Sequence, residues 1–170
     1  GLLERGVGGI DALVARYMKA FERVRGRLPA NRLVAGHGDP CFSNILYSKT
    51  SQLLKLIDPR GAESEDDLYT DPYCDVAKLS HSVLGAYDFI NLDKFEITVN
   101  KELHLRLELD GSPPDWAGMT FMSLLAEAGY EIRAVRTCEA SLFISMLPLH
   151  IDRPRKVLGF AIRAAQILDE

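Results

Sequence analysis

Apolar residues recur at steps of three and four from about Ile10 to Leu28, at Leu13, Tyr17, Phe21, Val24 and Leu28. That spacing puts them on one face and predicts an amphipathic helix, ended by Arg25, Gly26 and Pro29. The period then changes. RLVAGH (32–37) reads as a short buried strand or an extended lead-in. NILYS (44–48) and LLKLID (53–58) are apolar runs joined by KTSQ, which predicts a small β-hairpin. Residues 59–74 are polar and acidic, with two prolines and a glycine, and read as a loop. After Asp75, helical spacing returns at Val76, Leu79, Val83, Leu84 and Tyr87. FEITVN (95–100) and KELHLRLELD (101–110) alternate in period two and predict a second hairpin. In GSPPDW, Ser112 is placed to cap the next helix, with Pro113 or Pro114 in its first turn. Three helical stretches follow, roughly 115–128, 131–147 and 153–168, with Pro148 and Pro154 marking the last break. No repeat or low-complexity tract interrupts this order. The expected fold class is α+β, mainly helical, with short β-hairpins, in one unit over residues 1–170.

Composition narrows the function classes. The 170 residues are 47% hydrophobic and 26% charged, with a formal net charge of −4. Such values fit an ordinary globular chain, and they show no basic stripe for nucleic acid. The short run RPRK (153–156) reads as a solvated helix end. Cys41, Cys74 and Cys138 are odd in number and form no CxxC pair, which argues against a disulfide framework or zinc site and for a reducing compartment. No apolar run has membrane-spanning length and none resembles a signal peptide, so the expectation is a cytoplasmic protein without a membrane partner. The chain begins Gly-Leu-Leu-Glu, without Met, and is expected to be a piece of a longer or processed chain.

The chemistry concentrates in LVAGHGDPCFSNILY (33–47). Its His, Asp and Asn are pinned between apolar segments, and a loop held at both ends is suited to carry site residues. A hairpin returns the chain to its start, so Asp58 should lie close to Asn44 and Asp39. Three hard oxygen donors would then converge, which suits Mg²⁺ completed by water and substrate phosphates. Phosphoryl transfer needs such a set: an Asp to take the acceptor's proton, and an Asn five residues on with a second Asp to hold metal.

His37-Gly38-Asp39-Pro40-Cys41-Phe42-Ser43-Asn44 resembles the H-G-D-x-x-x-x-N motif of the aminoglycoside phosphotransferase and choline kinase superfamily, small-molecule kinases with a protein-kinase-like fold. LIDPRG resembles that family's metal-binding segment, and DPYCDVAKL its following helix start. The match runs from about Leu33 to Ile90, and the wording around IDPRG and DVAKLSHSVLGAYDFI also resembles bacterial members linked to capsule or surface-polysaccharide synthesis. The resemblance implies a C-lobe, with its catalytic loop and metal-binding hairpin at 33–60, a helical remainder at 75–170 and a β-hairpin near 95–109. It implies Asp39 as catalytic base, Asn44 and Asp58 as Mg²⁺ ligands, and Asp75 as the residue bonding back to the catalytic loop. His37 would shape that loop. The implied donor is ATP or another NTP, and the implied acceptor a hydroxyl of a sugar or amino alcohol.

Blander roles stand beside these. Asp39, Asn44 and Asp58 are common turn formers, and Asp75 could simply cap a helix. Arg60, two residues past Asp58, could meet a phosphate or be a surface residue. His81 reads as a hydrogen-bonded structural histidine, Cys41 as packing, and the acidic run 63–67 as a solvated loop. The glycines of RGVGGID precede a helix without a strand before them, and no strand Lys accompanies them, so the nucleotide-covering N-lobe is expected to be absent. The isolated chain would then be inactive, and would expose apolar surface to a missing lobe or a second copy. The competing functions are a non-catalytic kinase-like binding or scaffolding module and a metal-dependent hydrolase.

Overall fold

The computed structural model describes residues 8–28, 33–101 and 104–170. Pro29, Arg32, Glu102 and Leu103, and the Arg5–Gly6–Val7 part of the glycine cluster, lie outside the described residues. The protein is α+β and mainly helical, with three two-stranded antiparallel sheets among the described residues. Helix α1 (Gly9–Val24) closes in a 3-10 turn at Arg25–Arg27. Strand β1 (Val34–Ala35) leads to the His-Gly-Asp loop, and β2 (Ile45–Ser48) and β3 (Leu53–Leu56) form the first hairpin. Strand β4 (Tyr69–Thr70) precedes α2 (Pro72–Val83) and the short α3 (Tyr87–Asn91). Strands β5 (Phe95–Val99) and β6 (Leu105–Leu109) pair, and α4 (Asp115–Glu127), α5 (Ile132–Leu149) and α6 (Pro154–Asp169) complete the chain.

The core follows the apolar stripes. Leu13 of α1, Ile90, Phe95, Phe143 of α5 and Phe160 of α6 form one buried cluster. Val24, Tyr73, Phe121, Leu125 and Val135 form a second, between α1, α2, α4 and α5. Residues after Ser112 contain helices and no strand, as their three-and-four spacing predicts.

Several local expectations are corrected. Of the two readings of the lead-in, the extended one holds from Leu33 on: β1 has two residues, half-buried and exposed, and pairs with β4 inside the segment read as loop. Pairing across 34 residues leaves no periodic trace in a two-residue strand. Ser112 does not cap α4; the helix starts behind Pro114, which has no side-chain cap to offer. Pro148 falls in the last turn of α5, which runs to Leu149, and Pro154 opens α6, so the two prolines bracket the break as expected. RPRK is solvated at Arg153, Pro154 and Arg155, as expected, but not at its last residue. Lys156 is 2% exposed and donates to the Asn91 carbonyl at 2.6 Å. The Arg155 guanidinium lies 4.7 Å from the Phe95 ring centre and donates to the Phe95 carbonyl.

Candidate functional site

Helix α2 positions the loop. Asp71 is its N-cap, accepting the Tyr73 N–H at 2.8 Å, with Pro72 in the first turn. Asp75 is therefore not the cap, contrary to that reading of the sequence. Lying one turn in, its carboxylate accepts the backbone N–H of His37 at 2.6 Å and of Gly38 at 2.7 Å, one on each oxygen. Such charge-assisted bonds are about twice as strong as neutral ones.

Two further residues of the same helix reach the loop. Lys78 places its ammonium 2.9 Å from Asp39 Oδ1, and the Ser82 hydroxyl accepts the Phe42 N–H at 3.1 Å. Residues 75, 78 and 82 stand at i, i+3 and i+7, so one polar stripe grips three successive points of the loop. Neither Lys78 nor Ser82 was singled out from the sequence. The available signal was the i, i+3, i+7 spacing of these three polar residues.

Within the loop, the Asn44 amide N–H₂ donates to the Asp39 carbonyl at 2.9 Å and to Asp39 Oδ2 at 3.3 Å. A carbonyl only accepts, so this bond fixes which end of the amide is nitrogen and leaves the amide oxygen turned away from Asp39. Gly38 has φ +80, and a Cβ there would sit 2.5 Å from Arg60 Cβ. Only glycine meets both demands. Cys41 is buried, its sulfur 3.1 Å from the Ser43 hydroxyl.

The first hairpin is tied to this loop by backbone. The Ile57 N–H donates to the Asn44 carbonyl at 2.9 Å, and the Arg60 N–H to the His37 carbonyl at 2.8 Å. His37 Nδ1 accepts the Asp39 N–H at 3.3 Å, so the ring proton is on Nε2 and donates to the Ile57 carbonyl at 3.1 Å. Asp58 sits between these two anchored residues, in the left-handed region at φ +56, a conformation Asp tolerates better than most residues. It is exposed, as is Arg60. No three His, Cys, Asp or Glu side chains gather as a metal group among the described residues. Of the three candidate donors, Asp39 and Asn44 touch each other, while the Asp58 side chain makes no hydrogen bond or ion pair with either among the described residues. Beside the loop, a groove of about 320 Å³ is lined in part by Gly36, His37, Gly38, Arg60 and Thr70.

No family model, curated protein or solved structure matches the chain. None of the described helices is long and apolar enough to cross a membrane.

His81 is structural but makes no hydrogen bond among the described residues, which corrects the expectation of a satisfied ring. It stacks on Tyr87 at 4.3 Å and meets the edge of Phe143 at 4.0 Å. Burial, with Lys78 nearby, pushes it down to about 3. Burial pushes the Tyr87 phenol up to about 12, the charges of Cys41, Asp88 and Asp39 adding to it, and the Cys138 thiol up to about 11. Cys138 is therefore no nucleophile near neutral pH.

Proposed function

We propose that the chain is the C-terminal catalytic lobe of an ATP- and Mg²⁺-dependent phosphotransferase acting on a small-molecule hydroxyl, of the kind found in the aminoglycoside phosphotransferase and choline kinase superfamily. The observation that carries this reading is the loop itself. Asp39 and Asn44 are five residues apart and bonded to each other, and the backbone that positions them is held by Asp75. His37 joins that loop to the carbonyl preceding Asp58.

In this reading Asp39 accepts the proton of the attacking hydroxyl. Asn44 through its free amide oxygen, and Asp58 through its exposed carboxylate, would hold Mg²⁺. Bound there, the ion supplies charge neutralisation for the nucleotide phosphates. The groove beside Gly38 and Arg60 offers room for the acceptor, and a sugar or amino alcohol is the class proposed. Tyr47, Leu54 and Leu56 share one face of the first hairpin and are each at least half exposed. That apolar face is where a second lobe, or a second copy, would close over the nucleotide.

The test uses the complete gene product carrying this sequence, with Mg-ATP and a panel of sugars and amino alcohols. Asp39→Asn is expected to lower turnover by about 10²–10⁴-fold, the usual contribution of a positioned base, while calorimetry finds Mg-ATP affinity retained. Near-parental turnover in that variant would rule out this role for the loop.

A further inference from the structure

We propose that Lys78 is a positioning residue for phosphoryl transfer: its ammonium fixes the Asp39 carboxylate so that Oδ2 faces the acceptor hydroxyl. The inference rests on the phosphotransferase reading above and adds a residue to it. Three observations carry it. First, the Lys78 ammonium pairs with Asp39 Oδ1 at 2.9 Å as an ion contact outside hydrogen-bond geometry, and that oxygen is closed off from solvent and accepts no hydrogen bond among the described residues. Second, the Asp39 side chain is nevertheless 38% exposed, so its open edge lies away from Oδ1. Third, the one hydrogen bond to the carboxylate, among the described residues, is the long 3.3 Å contact from the Asn44 amide to Oδ2. The ammonium therefore pins one oxygen and leaves the other lightly held, where an incoming hydroxyl can displace the amide.

Stability does not explain the pair. Both side chains are half-buried, Lys78 26% and Asp39 38% exposed, and for such a pair desolvation offsets much of the Coulomb attraction. Orientation is a better account. A lone Asp on a glycine-flanked loop has two free χ angles, and a cation delivered by a rigid helix removes that freedom at the reacting atom. Lys78 comes from α2, the element that also fixes the loop backbone through Asp75 and Ser82. Base and backbone are thus held by one body.

The step balances as follows. The acceptor O–H donates to Asp39 Oδ2. An oxygen lone pair forms the new O–P bond while the bridging P–O bond to the nucleoside diphosphate breaks. The hydroxyl proton ends on Oδ2, and the diphosphate leaves with the bonding electrons. Lys78 stays on Oδ1 throughout.

The experiment compares Lys78→Met, Lys78→Arg and Asp39→Asn in the complete gene product. Lys78→Met is expected to lower kcat by about 10²-fold, the scale of a misplaced reacting group. The acceptor KM, the Mg-ATP Kd and the melting temperature should stay near parental values. Lys78→Arg should restore most of the rate. In ligand-free protein, the Asp39 Cγ carbon-13 resonance should be a single sharp line in the parent and in Lys78→Arg, and broadened in Lys78→Met. Parental kcat in Lys78→Met beside a dead Asp39→Asn would overturn the role of Lys78 and leave the enzyme reading intact. A loss of Mg-ATP affinity in place of kcat would also overturn it, making Lys78 a phosphate ligand. If Asp39→Asn keeps parental turnover, Asp39 is not the base, and the role of the loop fails and the proposal with it.

Discussion

Gly38 and Asp58 hold the two left-handed backbone positions on which the site turns, and they should respond to substitution in opposite ways. Gly38→Ala adds a Cβ where Arg60 Cβ lies at 2.5 Å and forces an alanine to φ +80. The cost should be about 1–3 kcal/mol, the range for a residue held in a sparsely populated region, read as a lower urea midpoint. Asp58 at φ +56 is tolerated because Asp and Asn populate this region. Asp58→Asn should therefore keep the fold and the melting temperature while weakening Mg-ATP binding, measured by calorimetry with and without Mg²⁺. An unchanged Mg²⁺-dependent affinity would remove Asp58 from the metal site.

At the scale of elements, α2 and the first hairpin have different jobs. The α2 stripe of Asp75, Lys78 and Ser82 holds a loop that has little core of its own. Asp75→Ala strands two backbone N–H groups, and each lost charge-assisted bond is worth about 1.5–3 kcal/mol. Hydrogen exchange at the His37 and Gly38 amides should rise sharply in that variant while α5 and α6 stay protected. The hairpin is the reverse case. Leu46 and Leu53 on one face and Tyr47, Leu54 and Leu56 on the other are all about half exposed, so it is anchored chiefly through backbone bonds at its Asn44–Ile57 end. Leu54→Lys should shift stability by less than about 0.5 kcal/mol, as surface changes do. Sedimentation should show weaker self-association for that variant; an unchanged profile would exclude the face as a contact surface.

For the whole molecule, acid sensitivity is set where α2 packs on α5. His81 is buried among Tyr87 and Phe143 with a value of about 3, against about 6.5 when unfolded. Between those values the unfolded chain binds a proton that the native one refuses. The stability this group contributes is complete above about pH 6.5 and falls with pH by about 1.4 kcal/mol per unit. Glu139 works in the opposite sense. Burial raises it, although Arg136 at 2.5 Å and the Ser80 hydroxyl pull it down. Its folded form takes up a proton before the unfolded one does, so it adds stability as pH falls toward 4.5. His81→Phe removes the first effect and leaves the second, with no hydrogen bond lost. Urea midpoints from pH 7 to 4.5 should decline less steeply in His81→Phe than in the parent; equal slopes would show that His81 is not held neutral.

What the sequence determined by itself was whatever depends on neighbours along the chain. Helical spacing set the three C-terminal helices to within a few residues, and the run of two apolar segments around KTSQ set the first hairpin. The Asn44–Asp39 contact was legible because a five-residue step is local, and so was the place of Asp58 just past the hairpin. Tertiary structure decided what depends on contacts across many residues. It paired β1 with β4, took the N-cap from Asp75 and gave it to Asp71, and turned Asp75 toward a loop 37 positions earlier in the chain. It buried Lys156 against the Asn91 carbonyl where charge alone predicts solvent, and brought Lys78 onto Asp39. The physical reason is the same in each case: a side chain's periodicity shows which face it occupies, but only packing shows what that face meets.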